Sequence, residues 1–409
     1  MVSERLVIDA LGAKGDGIGR GANGMAFVPF ALPGEILRVE REGNRAEIVD
    51  IEVPSTERRE PPCPHFGACG GCDLQHASEE LYRAFKRDVV VEAFRREGVE
   101  AEIGELVPCP PASRRRAVFS AVRADTRILF GFHEAASNRI SEIDTCLVAT
   151  PQIVKRLAFF KKLAALLIDR KRELRMTVTE TLSGLDISVD DAAKLTPALR
   201  QAAVKLALDP AIARLSVSGE TIVEARPPQI TIDGLPVLLP PGAFLQAVAS
   251  AEDAMARVAL GHLAGLKTVA DLFCGVGAFA LRMARTQAVH AVEFDAPALA
   301  ALDQARRGVA GLKPVTLERR DLMRRPVTAK ELEKFAGVLF DPPRAGAEAQ
   351  CHELAKSKVR RIAAVSCNPT TLARDAAILV AGGYRLISVT PIDQFLWSHH
   401  VEAVALFER

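Results

Sequence analysis

Three cysteines crowd one short stretch of the chain, Cys63-x5-Cys69-x2-Cys72, inside the glycine- and proline-rich run CPHFGACGGCDLQH. Thiolates are the soft ligands of zinc and of iron–sulfur clusters, and a loop with little side-chain bulk can fold its backbone around an ion. A closed site needs a fourth ligand. His65 or His76 nearby would favour zinc, whereas the distant Cys146 would complete a four-cysteine site, ahead of Cys109 in VPCPPAS. Spacing alone leaves zinc and a 4Fe–4S cluster both open.

A second group of reactive residues lies in the C-terminal part. DLFCGVGAF, Asp271 to Phe279, follows the apolar strand VADLF and opens a helix, and Gly275 and Gly277 permit close approach of a ligand to the backbone. About twenty residues on, Glu293 ends the strand AVHAVE, where a carboxylate can bind ribose hydroxyls. The pair suits any adenosine-bearing cofactor, with a nicotinamide cofactor and S-adenosylmethionine as alternatives. VLFDPPRAG then sets Asp341 and a rigid proline pair after a strand. Cys367, in Ser366-Cys367-Asn368-Pro369, ends the strand RIAAVS just before a helix, where the helix dipole can lower a thiol's pKa and make it a nucleophile.

These residues need a frame. At 409 residues the chain has room for two to four domains at roughly 100–200 residues each. Residues 1–55 read as short glycine-punctuated strands (LVIDAL, MAFVPF, ILRVER, AEIVDIEV), the pattern of a small β-barrel. TERREPPCPH marks a linker. Ser78 to Gly98 reads as a helix with Leu81, Phe85, Val89 and Phe94 near one face, followed by strand-like pieces and a basic helix around Gln152 to Arg172. Residues 56–240 are expected to form a mixed α+β domain. Residues 241–409 alternate apolar strands with helices, which predicts a parallel, doubly wound α/β sheet with its ligands beyond the carboxyl ends of the strands.

Composition narrows the partners. The chain is 49% hydrophobic and 25% charged, with 53 Lys+Arg against 51 Asp+Glu, so it is globular and does not coat nucleic acid by bulk charge. The barrel segment carries 6 basic and 9 acidic residues. Positive charge is local: Arg114-Arg115-Arg116, the group from Lys155 to Arg172, and Arg319, Arg320, Arg324 and Arg325. Three such clusters suit RNA or DNA contact. No signal segment and no run of about 18 apolar residues is seen, so a cytoplasmic monomer free of membrane is expected.

With these motifs in their order, the chain resembles the bacterial RNA 5-methyluridine methyltransferases, and specifically the ribosomal RNA branch with an N-terminal TRAM barrel and a 4Fe–4S cluster. The likeness covers nearly the whole length: the barrel ending in LPGE, the cysteine loop, PPGAFLQ, DLFCGVG, DPPR, SCNP and a terminal His400-Val401-Glu402. It implies an OB-like TRAM barrel, a central α+β domain carrying the iron–sulfur loop, and a Rossmann-like methyltransferase domain. It also implies Cys146 as fourth cluster ligand to Cys63, Cys69 and Cys72, Cys367 as nucleophile and Glu402 as general base. S-adenosylmethionine contacts would come from Gln246, Phe273, Glu293, Asp321 and Asp341. The chain departs from the family at Val248, where an asparagine is usual, and at Ala278, often polar.

The implied reaction is transfer of a methyl group to C5 of a uridine in RNA, 23S ribosomal RNA ahead of transfer RNA, through a covalent adduct of Cys367 with C6. The base must leave its stack to reach the pocket, and Phe244 in PGAFLQ is a candidate stacking residue. Two rivals stand beside this. An amino-directed RNA methyltransferase would need the DPP platform but no thiol, and an RNA-binding protein with a degenerate catalytic domain would need neither Cys367 nor Glu402.

Overall fold

The computed structural model describes residues 2–135 and 137–409, leaving Met1 and Ala136 outside the description. The N-terminal strands β1 (Val2–Leu11), β2 (Gly17–Gly21), β3 (Gly24–Val28), β4 (Ile36–Glu42) and β5 (Arg45–Val53) close into a barrel in the order β1-β2-β3-β5-β4. Alternation of side chains along each strand turns Leu6, Ile8, Ala26, Val28, Leu37 and Val39 into its core. The glycines of the β2 run serve closure: a Cβ on Gly17 would lie 2.7 Å from that of Ala31, and one on Gly19 would lie 2.7 Å from the Val7 carbonyl oxygen. Glu35 of LPGE is fully buried and accepts from Arg58 Nε at 2.5 Å and from the Leu32 N–H at 2.9 Å, which fastens the barrel to the segment leading into the cysteine loop.

Helix α1 (Glu79–Arg96) starts at Ser78, whose hydroxyl accepts from the Leu81 N–H at 3.1 Å. Its buried stripe is Tyr82, Phe85, Lys86, Val90, Ala93 and Phe94, so the face is turned away from Leu81 and takes in a lysine that apolar periodicity leaves out. This stripe packs on elements of the C-terminal sheet, described below, although its sequence lies in the middle of the chain.

The central elements are β6 (Arg116–Ala124), β7 (Arg127–His133), β8 (Ile140–Glu142), α2 (Pro151–Val154), α3 (Leu157–Leu167), β9 (Leu174–Thr181), β10 (Gly184–Asp190), α4 (Pro197–Ala207), β11 (Ile212–Val217) and β12 (Glu220–Glu224). The seven strands form one sheet, β12-β11-β10-β9-β6-β7-β8, in which only β10 and β11 run parallel. The basic helix expected around 152–172 is two helices. α3 ends at Leu167, and Arg170, Lys171 and Arg172 fall in the turn to β9.

A hairpin of β13 (Gln229–Ile232) and β14 (Leu235–Leu238) and helix α5 (Ala249–Leu263) lead into the last layer. It contains β15 (Thr268–Leu272), α6 (Ala280–Met283), β16 (Ala288–Glu293), α7 (Ala296–Arg307), β17 (Val315–Arg319), α8 (Ala329–Leu332), β18 (Gly337–Phe340), α9 (Glu348–Lys356), β19 (Arg361–Ser366), α10 (Pro369–Ala381), β20 (Arg385–Ile392) and β21 (Glu402–Glu408). The sheet order is β17-β16-β15-β18-β19-β21-β20. Strands β15 to β19 are parallel as the alternation predicts. The last pair is an antiparallel hairpin, with β21 inserted between β19 and β20. Both faces are covered: Val269, Ala291, Leu339 and Val365 belong to one core, and Ala270, Val292, Val338 and Ala364 to the other, where α1 lies against α10 and β20.

Candidate active site

Strand order reverses between β15 and β18, so the crevice beyond their carboxyl ends is where such a sheet receives a ligand. Phe273, directly after β15, has φ 62°, a left-handed conformation that turns the chain sharply into Cys274–Gly277. A Cβ on Gly275 would meet nothing within 4 Å, leaving open space above the backbone. Glu293 braces this loop: its Oε2 accepts from the Gly275 N–H at 3.0 Å, and its Oε1 from those of Phe294 and Asp295 at 2.7 and 2.9 Å. Asp321 lies beyond β17 and caps a turn by accepting from the Met323 and Arg324 N–H groups. Asp271, which drew no role from its sequence, is fully buried on β15 with neither carboxyl oxygen partnered. Burial raises its pKa well above the ordinary value, with Asp341 adding to the effect. An unpaired acid beside an open glycine loop is a fitting place for a cationic, adenosine-bearing group.

Cys367 and Glu402 meet through the ladder. Ser366 of β19 pairs with Ala403 of β21, and because the strands are antiparallel the neighbouring Cys367 and Glu402 leave the sheet at the same end. Asn368 caps α10, accepting from the Thr370 N–H at 3.2 Å, and its Nδ2 donates to the Arg344 carbonyl at 3.1 Å, tying the SCNP turn to the DPPR turn. The thiol is not activated as the helix dipole suggests. Burial pushes the Cys367 pKa up to about 11, and the nearby Glu402 adds to this against the opposing charge of Arg344. Burial likewise raises Glu402 to about 8, with Asp341 assisting. Asp341 is only partly buried by area, yet the protein packed around it lifts its carboxyl to about 7.

A chain of side-chain amides joins these acids. Gln246 Nε2 donates to Asp341 Oδ2 at 2.9 Å, and Gln394 Nε2 donates to Gln246 Oε1 at 2.7 Å and to Glu402 Oε1 at 2.5 Å. Gln394 escaped the sequence reading. The signal available was its place directly after the strand β20, where polar residues face the crevice.

Cys367, Glu402 and Gln246 line a cleft of about 490 Å³ that also reaches Cys63, Cys69, Cys72 and Cys146. The four thiols thus come to one place. Burial lifts the Cys72 pKa to about 12 and raises Cys69, with the neighbouring cysteines adding to both. His65 is paired with Asp144 at 2.8 Å, while His76 is buried among the rings of Phe30 and Phe66. Cys109 is buried in the core near Asp393 and Lys86. Among the described residues no three His, Cys, Asp or Glu side chains are grouped as ligands of a single metal ion. The four sulfurs are soft donors that share the wall of one cleft without being drawn into a ligand group.

Two arginines also line the cleft, and Arg114 lies close to Cys72 and Cys146. Arg114 lies over the Phe395 ring at 5.4 Å and Arg116 over the exposed Phe244 ring at 5.6 Å, and the Nε of each arginine is buried without a partner. Burial lowers the pKa of both. The third member of the triplet, Arg115, is structural, paired with Glu252 at 2.7 Å.

The chain is similar to known proteins over this span and beyond it. The family described as tRNA (Uracil-5-)-methyltransferase matches residues 238–409. The chain is 51% identical to an RNA methyltransferase of Rhizobium meliloti (strain 1021) named as uncharacterized, over 100% of both chains. It is 31% identical to the 23S rRNA (uracil(1939)-C(5))-methyltransferase RlmD of Shewanella amazonensis, over 98% of this chain and 95% of that one. The chain belongs to the RNA uracil-5-methyltransferase family. Its fold is that of Pyrococcus abyssi tRNA (uracil-54, C5)-methyltransferase, solved with S-adenosyl-L-homocysteine, at a TM-score of 0.76 over 98% of this chain and 99% of that one, with 22% identity. Within this methyltransferase, Gln246, Phe273, Glu293, Asp321, Asp341, Cys367 and Glu402 all fall inside the matched span, and the four clustered cysteines fall before it. No helix among the described residues is long and apolar enough to cross a membrane.

Proposed function

We propose that this methyltransferase transfers a methyl group to C5 of a uridine in 23S ribosomal RNA through a covalent adduct between Cys367 and C6. The observation that carries the reading is that Cys367 and Glu402, at the same end of paired strands, line one cleft with Arg114 and Arg116. Part-buried arginines with no ion pair among the described residues suit an anion, and an RNA backbone supplies phosphates. The exposed Phe244 and the Phe395 ring offer faces for bases leaving the stack.

S-adenosylmethionine, when bound in the β15/β18 crevice, supplies an electrophilic methyl group. Phe273, Glu293, Asp321 and Asp341, at or just beyond the carboxyl ends of β15, β16, β17 and β18, would hold it there, with Gln246 held on Asp341. C5 of uracil is a poor nucleophile. Attack of the Cys367 sulfur on C6 opens the C5=C6 bond and places an electron pair on the C5–C4–O4 enolate, which makes C5 nucleophilic. Once C5 carries the methyl group, Glu402 removes the C5 proton. The C–H pair re-forms C5=C6, and the C6–S bond breaks with its pair returning to Cys367. Since burial favours the thiol form of Cys367, its proton passes to solvent water before attack, and Arg344 is the cation placed to favour the thiolate left behind.

Cys63, Cys69, Cys72 and Cys146 would hold a 4Fe–4S cluster. It takes no part in the scheme, which exchanges no electrons, and its role would be to shape the surface beside the catalytic cleft. The barrel is proposed as a TRAM-type contact to RNA. The test of the whole reading is mapping of 5-methyluridine in ribosomal and transfer RNA from cells lacking this protein. Loss of a 23S site, restored by the intact gene, is expected; loss in transfer RNA alone would overturn the ribosomal assignment.

A further inference from the structure

Gln394 lies just beyond β20, at the start of the segment leading to β21, and the scheme above leaves it without a task. Its amide has one orientation. The Ala247 backbone N–H can only donate, and it meets Oε1 at 2.9 Å, so the oxygen and nitrogen of Gln394 cannot be exchanged. Both hydrogens of Nε2 are then directed, one to Gln246 Oε1 at 2.7 Å and one to Glu402 Oε1 at 2.5 Å. Gln246 is fixed in turn, since its oxygen accepts, and its Nε2 points at Asp341 Oδ2. A single polarity therefore runs from the Ala247 N–H through two amides to two carboxyl groups. At the end of the chain Glu402, 2% exposed, has Oε1 held and Oε2 buried with no partner.

We propose that Gln394 is a positioning residue for the proton transfer: it holds Oε1 of Glu402, leaves Oε2 as the oxygen that receives the C5 proton, and favours the ionised carboxylate. The inference rests on the covalent scheme proposed above. Gln394 itself exchanges no proton, and the atoms balance as in that scheme, with the proton going from C5 to Oε2. The other charged or titratable groups acting on Glu402 are Asp341, which disfavours its ionisation, and Arg344 and Lys86, which favour it, while Cys367 shares its cleft. A side chain of similar length without a donor would leave Glu402 protonated to higher pH and free to swing its oxygens.

Rapid-quench single turnovers of wild type and Gln394→Met on unmodified transcribed 23S ribosomal RNA with S-adenosylmethionine would follow the protein–RNA adduct and the methylated product from about pH 6 to about pH 9. Adduct formation is expected within about twofold of wild type, and adduct resolution roughly tenfold slower near pH 7, with the deficit shrinking as pH rises. A merely structural role would slow both steps alike at every pH, and that result, or unchanged resolution, overturns the proposal. If Gln394→Met does not fold, Gln394→Leu, which is uncharged and also has no donor, carries the same comparison: slowed resolution supports the role and unchanged resolution overturns it. Absence of any adduct in wild type would remove the covalent scheme first, and the role of Gln394 with it.

Discussion

Lys86 and Asp393, 307 residues apart in sequence, form an ion pair of 2.9 Å between side chains that are 0% and 1% exposed. The remaining ammonium hydrogens go to the carbonyls of Phe395 and His400, and the Tyr82 hydroxyl donates to the other Asp393 oxygen at 2.5 Å while accepting from the Trp397 N–H. Helix α1 thereby holds the segment 393–401 that delivers Glu402. Burial lowers the Lys86 pKa, but Asp393 opposes this. Lys86→Met leaves a carboxylate buried without its cation, so a loss of about 3–5 kcal/mol is expected in urea unfolding. Lys86→Met/Asp393→Asn should recover part of it, and a double variant no more stable than the single would contradict the pairing.

The two halves of the chemistry should separate by substitution. Cys367→Ala removes the only atom proposed to bond C6, and multiple turnover on uridine should vanish with no adduct on a denaturing gel. Glu402→Gln keeps the nucleophile and the shape but cannot take the C5 proton. It should accumulate a methylated protein–RNA adduct and lose steady-state turnover by roughly a hundredfold or more. Turnover retained by Cys367→Ala would refute the scheme outright.

The sequence made the alternating strands of the last domain legible because buried parallel strands read as continuous apolar runs ending in Gly, Pro or acid. Cys367 and Asp341 could be found by looking at those ends. A final hairpin that folds back over the crevice is expected from the sequence and is present, but the insertion of β21 between β19 and β20 is not legible there, because that pairing is set by distant partners. Lys86 was hidden for a related reason. A lysine between apolar positions reads as a solvated face, and only the arrival of Asp393 makes it part of the buried stripe. The thiol environment was misjudged in sign, since the helix start at Cys367 is evident from Asn368-Pro369 whereas the burial and the Glu402 carboxyl that outweigh it come from the fold.

The raised acids also set the pH dependence of stability. Glu402 titrates at about 8 in the folded protein against an ordinary 4.5, and Asp341 at about 7 against 3.8. A carboxyl raised by folding contributes stability that is fully present below its unfolded pKa and is lost as pH rises through the folded value. The contribution of these two carboxyls should therefore be lost between about pH 4 and pH 8. Glu402→Gln removes the Glu402 ionisation, so its melting temperature should fall less than that of wild type from about pH 6 to about pH 9, by roughly a few degrees. Parallel curves for the two proteins would show that Glu402 does not carry a raised pKa.

The cysteine loop is fastened to the same catalytic segment. The N–H groups of Asp73 and Leu74, directly after Cys72, donate to the Trp397 carbonyl at 2.7 and 2.9 Å, and Asp73 Oδ2 accepts from the His399 backbone and lies 2.7 Å from its Nδ1. If the four thiols hold a cluster, protein purified without oxygen should be brown and carry about four irons per chain. Cys69→Ser should lose iron and colour. Its loop would then lack the bonds that fix Cys72, so proteinase K, which needs no basic residue, should cut more readily in the segment around Cys63 to Asp73 than in wild type. Colourless anaerobic protein containing about one zinc would overturn the iron assignment, and an unchanged cleavage pattern in Cys69→Ser would show that the loop stands on its backbone bonds alone.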